Sequence, residues 1–406
     1  MNNDGHPDIA VANNLSENVS VFLNSGAGTF PLSSTYSVGY KPYSVFAGDI
    51  DGDGDTDLIV TASAASVFTM RTFKNLGNGT FTAGDAFPTV TNPTCVRGAD
   101  LDGDGDLDLA VSCVTDNRVQ VFKNNGSGTF GLDSNYIATA PFSLVLCDLD
   151  GDGAIDMAVA SVNENPGTVR VWKNKGNGRF TGPVTWLVGG VSVTMRRIAC
   201  ADVDEDGDMD LVTVEHCNPP NVSLLRNNGL GSFGLFDAYS AGSFPADLTT
   251  CDMDRDGHVD LVVANTNDNN LSVLRNAGGG TFSPPQNFPT GRSPACVRAA
   301  DFDLDVKTDI AAALYDADSI AVLTNCGCNC PHQGDMNDDG VPDVFDVIYL
   351  IDYVFSGGAA PPKDPLCPHI NRSDVNCDGV ADVFDVIYLI DFVFSGGKAP
   401  CDPCTR

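Results

Sequence analysis

The chain has 406 residues, and its 22 lysines and arginines face 54 aspartates and glutamates, a net charge of −32 at pH 7. Such acidity argues against nucleic acid and anionic membrane surfaces as partners, and no run of about 18 apolar residues is present to span a bilayer. The hydrophobic fraction, 42%, is ordinary for a globular chain, so the acid is placed at particular positions rather than spread along a disordered tail.

From the N-terminus, the first landmark is a clipped loop, Asn2, Asp4 and Asp8 around Gly5. Its complete form then recurs six times: Asp49, Asp51, Asp53 and Asp57; Asp100, Asp102, Asp104 and Asp108; Asp148, Asp150, Asp152 and Asp156. The series continues with Asp202, Asp204, Asp206 and Asp210; Asp252, Asp254, Asp256 and Asp260; and Asp301, Asp303, Asp305 and Asp309. Carboxylates at loop positions 1, 3, 5 and 9, with Gly at position 6, suit a hard cation such as Ca²⁺. That ion takes about 6–8 oxygens at roughly 2.3–2.6 Å, and a sharp turn lets alternate side chains converge on it. Catalytic carboxylates would break the repetition rather than follow it. Asn2 stands where the frame has Asp, and Val306 where the last loop should have Gly, so these two loops are expected to fill after the others. Without metal the clustered carboxylates repel, so ion binding should couple to folding.

Each loop is followed by a short apolar run, such as Asp57-Leu58-Ile59-Val60, suited to a strand covered on both faces. An alternating strand comes next, for example Arg118 to Phe122, whose period of two predicts half-burial. A glycine hairpin follows, Asn75 to Phe81 in one repeat and Asn24 to Phe30, Asn124 to Phe130, Asn174 to Phe180, Asn227 to Phe233 and Asn276 to Phe282 in others. A fourth strand leads, in most repeats through a proline (Pro42, Pro93, Pro141, Pro245, Pro294), into the strand before the next loop. Four antiparallel strands per ~50-residue unit are a propeller blade. The first unit lacks the strand before its loop and the last lacks its fourth, which predicts an N-terminally truncated product with its signal peptide out of view.

The loops and hairpins of residues 1–325 resemble the FG-GAP/VCBS repeats, the integrin-like family of seven-bladed β-propellers with a calcium loop between the first two strands of a blade. The fold expected is mainly β, a seven-bladed calcium-binding propeller followed by a small α-helical EF-hand-like domain.

After a Cys-rich linker, residues 326–334, the sequence changes character. A twelve-residue loop carries oxygen side chains at Asp335, Asn337, Asp339, Asp343 and Asp346, and a second carries Asp374, Asn376, Asp378, Asp382 and Asp385. Both have EF-hand spacing with Asp at position 12, and both run into nearly the same amphipathic helix, closed by Ser-Gly-Gly. These copies are similar to a type I dockerin, assigned here to residues 335–406. That resemblance implies docking to a cohesin-like domain or surface scaffold, with Val344, Phe345, Val383 and Phe384 at the recognition positions. Nine Ca²⁺ sites are expected in all, two of them in this module.

Fourteen cysteines, seven of them between Cys326 and Cys404, point to disulfides around the small second module and an oxidising, extracellular setting. A soft-metal site in the linker is the alternative use. The propeller cysteines, such as Cys95, Cys147, Cys200, Cys251 and Cys296, read as buried thiols before the metal loops. Trp186 invites a sugar-stacking role, but Tyr36, Phe87, Tyr136, Tyr239 and Phe288 share its slot, which is the mark of blade packing.

Strand alternation puts the metal loops and glycine hairpins on one face. The other face carries the variable loops between second and third strands, such as residues 13–18, 163–168 and 215–221. The expected function is a secreted, non-catalytic propeller that binds a glycan or protein there and is tethered by the second module. A polysaccharide-degrading hydrolase or lyase and a structural surface-layer protein are the competing readings, although no nucleophile elbow, phosphate loop or His-based metal triad is present.

Overall fold

The computed structural model describes residues 1–325 except 65, 163, 190–193, 217–220, 235 and 318, and of residues 32 and 33 the backbone alone. The loops at Asp335 and Asp374 and the residues Val344, Phe345, Val383 and Phe384 lie outside the described residues.

The strands fall into seven antiparallel sheets in chain order, the blades of a propeller. Blade 1 holds β1 (Ile9–Asn13), β2 (Asn18–Phe22) and β3 (Leu32–Ser37). Blade 2 holds β4 (Lys41–Gly48), β5 (Asp57–Ala64), β6 (Val67–Asn75) and β7 (Phe81–Pro88). Blade 3 holds β8 (Pro93–Ala99), β9 (Asp108–Cys113), β10 (Arg118–Asn124) and β11 (Phe130–Ile137). Blade 4 holds β12 (Pro141–Cys147), β13 (Asp156–Ser161), β14 (Gly167–Asn174) and β15 (Phe180–Val188). Blade 5 holds β16 (Thr194–Ala201), β17 (Asp210–His216), β18 (Asn221–Leu225) and β19 (Asp237–Ser240). Blade 6 holds β20 (Pro245–Cys251), β21 (Asp260–Asn265), β22 (Asn270–Leu274) and β23 (Gln286–Pro289). Blade 7 holds β24 (Pro294–Ala300), β25 (Asp309–Leu314) and β26 (Ser319–Leu323).

The apolar runs after most metal loops are buried along their length, as in β9, β13 and β21, whereas β1 is only half-buried. Several third strands depart from the expected half-burial, although β2 keeps the alternation: in β10 Val119, Gln120, Val121 and Phe122 are all buried. Neighbouring blades cover both faces of these strands, so a period of two in the sequence does not become a wet face. Gln120 is accommodated because its side-chain oxygen accepts the Val90 N–H at 2.8 Å and its amide donates to Asn135 at 3.1 Å.

The hydrophobic core is divided among the seams. Six clusters each draw on two adjacent blades: Leu58, Phe73 and Phe81 with Val19 and Val21 between blades 1 and 2, for example, or Met195 and Phe233 with Val169 and Val171 between blades 4 and 5. Trp172, 2% exposed, packs between blades 3 and 4. Trp186 stacks edge-on against Phe233 of the next blade at 5.1 Å and donates its indole N–H to the Phe233 carbonyl at 2.9 Å, so its slot is a packing slot. Blades 1 and 7 meet through a smaller contact, with Phe30 edge-on to Phe302 at 5.4 Å.

Candidate metal centres

Each candidate site is a turn between the first and second strands of a blade. In blade 2, Asp49 at position 1 accepts the N–H groups of Gly52 and Gly54 at 2.8 and 3.0 Å, and Asp53 accepts that of Asp55 at 2.9 Å. Asp57 ends the loop as the first residue of β5, fully buried, where it accepts from Asn75 and Ile50 at 2.7 and 3.3 Å. The chain enters the left-handed region twice to make this turn. Position 6 is glycine in the first six loops (Gly54 has φ +89°), and position 4 is left-handed even where it is Glu205, Arg255 or Leu304.

Three carboxylates per loop bring oxygens within 4.8 Å of one another: Asp49, Asp51 and Asp53; Asp100, Asp102 and Asp108; Asp148, Asp150 and Asp156; Asp202, Asp204 and Asp206; Asp252, Asp254 and Asp260. One cation at about 2.3–2.6 Å can touch all three across that span. The fourth carboxylate of each loop sits beside its group. Asp104, Asp152 and Asp256 hold the turn through position-7 N–H groups, and Asp210 bonds Asn227 and Val203.

The position-3 residue tests whether these groups fit a metal. One oxygen of Asp51, Asp102, Asp150 and Asp204 takes a lysine or arginine, Lys74, Lys123, Lys173 and Arg226 respectively. The other oxygen of each is buried with no hydrogen-bond partner. A buried orphan carboxylate oxygen repeated in four blades is costly unless a cation meets it, and an all-oxygen donor set suits a hard one.

Sequence reading missed the basic residue at the third-strand end. It precedes the hairpin asparagine as Lys74, Lys123, Lys173, Arg226 and Arg275, with Leu23 in the first repeat, and that pattern was the available signal. The cation also crosses the seam: Lys74 reaches the Ser127 carbonyl of blade 3 at 3.0 Å and Arg226 the Gly279 carbonyl of blade 6 at 3.0 Å. The asparagine beside it binds backwards. Asn75, Asn124, Asn174, Asn227 and Asn276 each donate to the position-2 carbonyl of the preceding metal loop, at 2.6–2.8 Å. Asn24 does the same to Phe302 at 2.7 Å, linking blade 1 to blade 7.

The two irregular loops differ in geometry. Asn2 donates to Asp4 at 2.7 Å, and Asp8 accepts from Asn24 at 2.8 Å. In the last loop Asp301 accepts from Asp305 and Val306 at 3.0 and 2.8 Å, and Lys307 pairs with Asp305 at 2.9 Å, bringing a charge that competes with a metal.

An FG-GAP-like repeat profile matches residues 1–60, 63–111, 148–213 and 252–312, more than half of the chain, and an FG-GAP repeat profile matches residues 42–80. The chain belongs to the FG-GAP-like repeat family. No curated protein matches it. Among solved structures, BBS1N in complex with ARL6DN, soaked with mercury, superposes with a TM-score of 0.55 at 13% identity, over 79% of this chain and 88% of that one. A protein from Lactobacillus plantarum gives 0.57 at 17% identity, over 72% and 85%. At such identities these likenesses show the fold. Among the described residues no helix is long and apolar enough to cross a membrane.

Two expectations follow for the FG-GAP loops. Val306 adopts φ +73°, a left-handed conformation that β-branched residues resist by about 1–2 kcal/mol. Val306→Gly should therefore raise stability by about 1 kcal/mol and tighten metal binding at the last loop, read by denaturant titration and by metal titration. The second concerns pH. Burial is the largest effect on Asp57, Asp108, Asp156, Asp210 and Asp260, and together with neighbouring carboxylates it pushes each from 3.8 up to about 6. A raised acid means that the folded chain holds protons the unfolded chain has lost, so stability falls as pH rises through that window. In chelator, the melting temperature should be higher near pH ~5 than near pH ~7. With metal present the order should reverse, because protons and cation compete for the same oxygens.

Proposed function

We propose that this FG-GAP propeller is a secreted, calcium-stabilised, non-catalytic binding module whose glycan or protein ligand docks on the face opposite the metal loops. Calcium is the ion proposed because the donors are carboxylate oxygens on sharp loops. The observation that carries the binding reading is a cluster on the far face. Arg196, near the start of β16, stands 5.5 Å from the ring of Phe142 and 5.0 Å from that of Phe244, and His216, the last residue of β17, lies 4.3 Å from Phe244. The Arg196 Nε is buried with no hydrogen-bond partner, and burial pushes the guanidinium below its usual pKa. An aromatic pair around an under-bonded cation can stack on a sugar ring or accept an acidic or carbonyl group. In this reading the module at residues 335–406 tethers the propeller to a cohesin-like domain or surface scaffold through Val344, Phe345, Val383 and Phe384.

The test is a glycan array probed with residues 1–406 in millimolar Ca²⁺, beside Arg196→Ala and Phe244→Ala. Specific glycan binding lost in both variants supports the reading. Binding that both variants retain moves the ligand elsewhere, and reducing-sugar release from mixed polysaccharides would replace the reading with a hydrolase or lyase.

A further inference from the structure

The strands that precede the metal loops pack against one another around the axis of the ring. Side chains five positions before each loop link adjacent strands: Ser44 accepts the Val96 N–H and Ser143 that of Ile198, both at 3.4 Å, and Asp247 accepts that of Val297 at 3.1 Å. From this inner wall three arginines of different blades converge, Arg97 on β8, Arg197 on β16 and Arg298 on β24.

Asp247 on β20, 1% exposed, is the carboxylate that meets them among the described residues. Arg197 binds it through two nitrogens, Nε on one oxygen and Nη2 on the other at 3.0 Å, and Arg298 Nη1 binds it at 2.9 Å. Arg97 is within electrostatic reach of all three groups but makes no bond to Asp247. Its Nη1 donates to the Val96 carbonyl at 2.8 Å. The cluster therefore carries an excess of two positive charges in a chain whose net charge is −32.

We propose that this axial cluster binds a small dianionic oxyanion of the sulfate or phosphate class. Two features beyond the charge support it. Among the described residues, Nε and Nη2 of Arg97, Nη1 of Arg197, and Nε and Nη2 of Arg298 have no hydrogen-bond acceptor. Guanidinium forks of this kind match the paired oxygens of sulfate or phosphate better than a halide or a single water does. The site is also reachable, since half of the Arg298 side chain is open to solvent. Cys95 would favour the Arg97 cation, but burial and the neighbouring Arg197 and Arg298 prevail and hold it below its usual pKa, the signature of a cation short of counter-charge.

The experiment titrates residues 1–406, in submillimolar Ca²⁺, with sulfate and separately with phosphate. Ionic strength is held constant with chloride, and binding is followed by calorimetry and thermal melting. A saturable rise in melting temperature below about 5 mM anion is expected, with affinity weakened tenfold or more in Arg97→Gln and in Arg298→Gln. Arg97→Lys, which keeps the charge without the fork, should bind with intermediate affinity and controls for folding. A stronger response to one anion identifies the source. No saturable response, an equal response to chloride, or undiminished affinity in both Gln variants would overturn the proposal.

Discussion

Chelating calcium is expected to remove most of the propeller's stability. Each ion that binds the folded loops and not the unfolded chain adds RT ln(1 + [Ca]/Kd), about 2.7 kcal/mol at ~100 Kd. Five regular loops, at Asp49, Asp100, Asp148, Asp202 and Asp252, would together supply on the order of 10 kcal/mol, comparable with the whole stability of an ordinary domain. The orphan oxygens of Asp51, Asp102, Asp150 and Asp204 would then be buried without a partner. Thermal melts in millimolar Ca²⁺ and in chelator should differ by roughly 20 °C or more. An unchanged melting temperature would sink the calcium reading. Stepwise titration should fill the five regular loops before those of Asp4 and Asp301, because Asn2 removes a charge from the first and Lys307 opposes the last.

The second large effect is expected at Asp247. Burial pushes its carboxyl up, yet Arg197 and Arg298 overcome that and hold it well below the usual range. It also accepts the backbone N–H groups of Val297 and Leu248, at 3.1 and 2.9 Å, so one side chain joins the inner strands of blades 5, 6 and 7. Asp247→Ala leaves the guanidiniums of Arg197 and Arg298 to repel one another, and breaking the buried Arg197 pair from one side costs about 3–5 kcal/mol. Denaturant unfolding at constant ionic strength should show that loss. Adding Arg97→Met to Asp247→Ala should recover part of it, since Arg97 contributes repulsion and no bond to Asp247. A loss under about 1 kcal/mol, or no recovery in the double variant, would mean that water screens the axis effectively.

How much of this was legible in the sequence depends on whether a feature repeats. Strand order, metal loops and hairpins recur in one frame, so Asp57 and Asp108 or Asn75 and Asn124 identify each other. Trp186 was readable as packing because five other aromatics share its slot. The lysine or arginine before five of the six hairpin asparagines also recurs, but its role depends on reaching the next blade's carbonyls, which a single repeat does not show. The axial cluster could not be read at all. The positions five before each loop hold Ser44, Cys95, Ser143, Arg197, Asp247 and Cys296, with no common chemistry. Arg97 and Arg298 come together only because ring closure sets distant stretches of chain across one axis. The half-buried third strand failed for a related reason, since alternation within a strand says nothing of a second blade covering its other face.

The bond from Asn24 to Phe302, with Phe30 against the Phe302 ring, has a consequence for how the molecule comes apart. A linear array of repeats frays from its ends, losing one unit at a time while the rest stays intact. Here the array meets itself, so no terminal unit stands ready to peel away. Extracting any of blades 2 to 6 strips the apolar clusters of both flanking seams at once and turns two interior walls into wet surfaces. The molecule should accordingly be brittle instead of soft, resisting small losses and then failing as a whole.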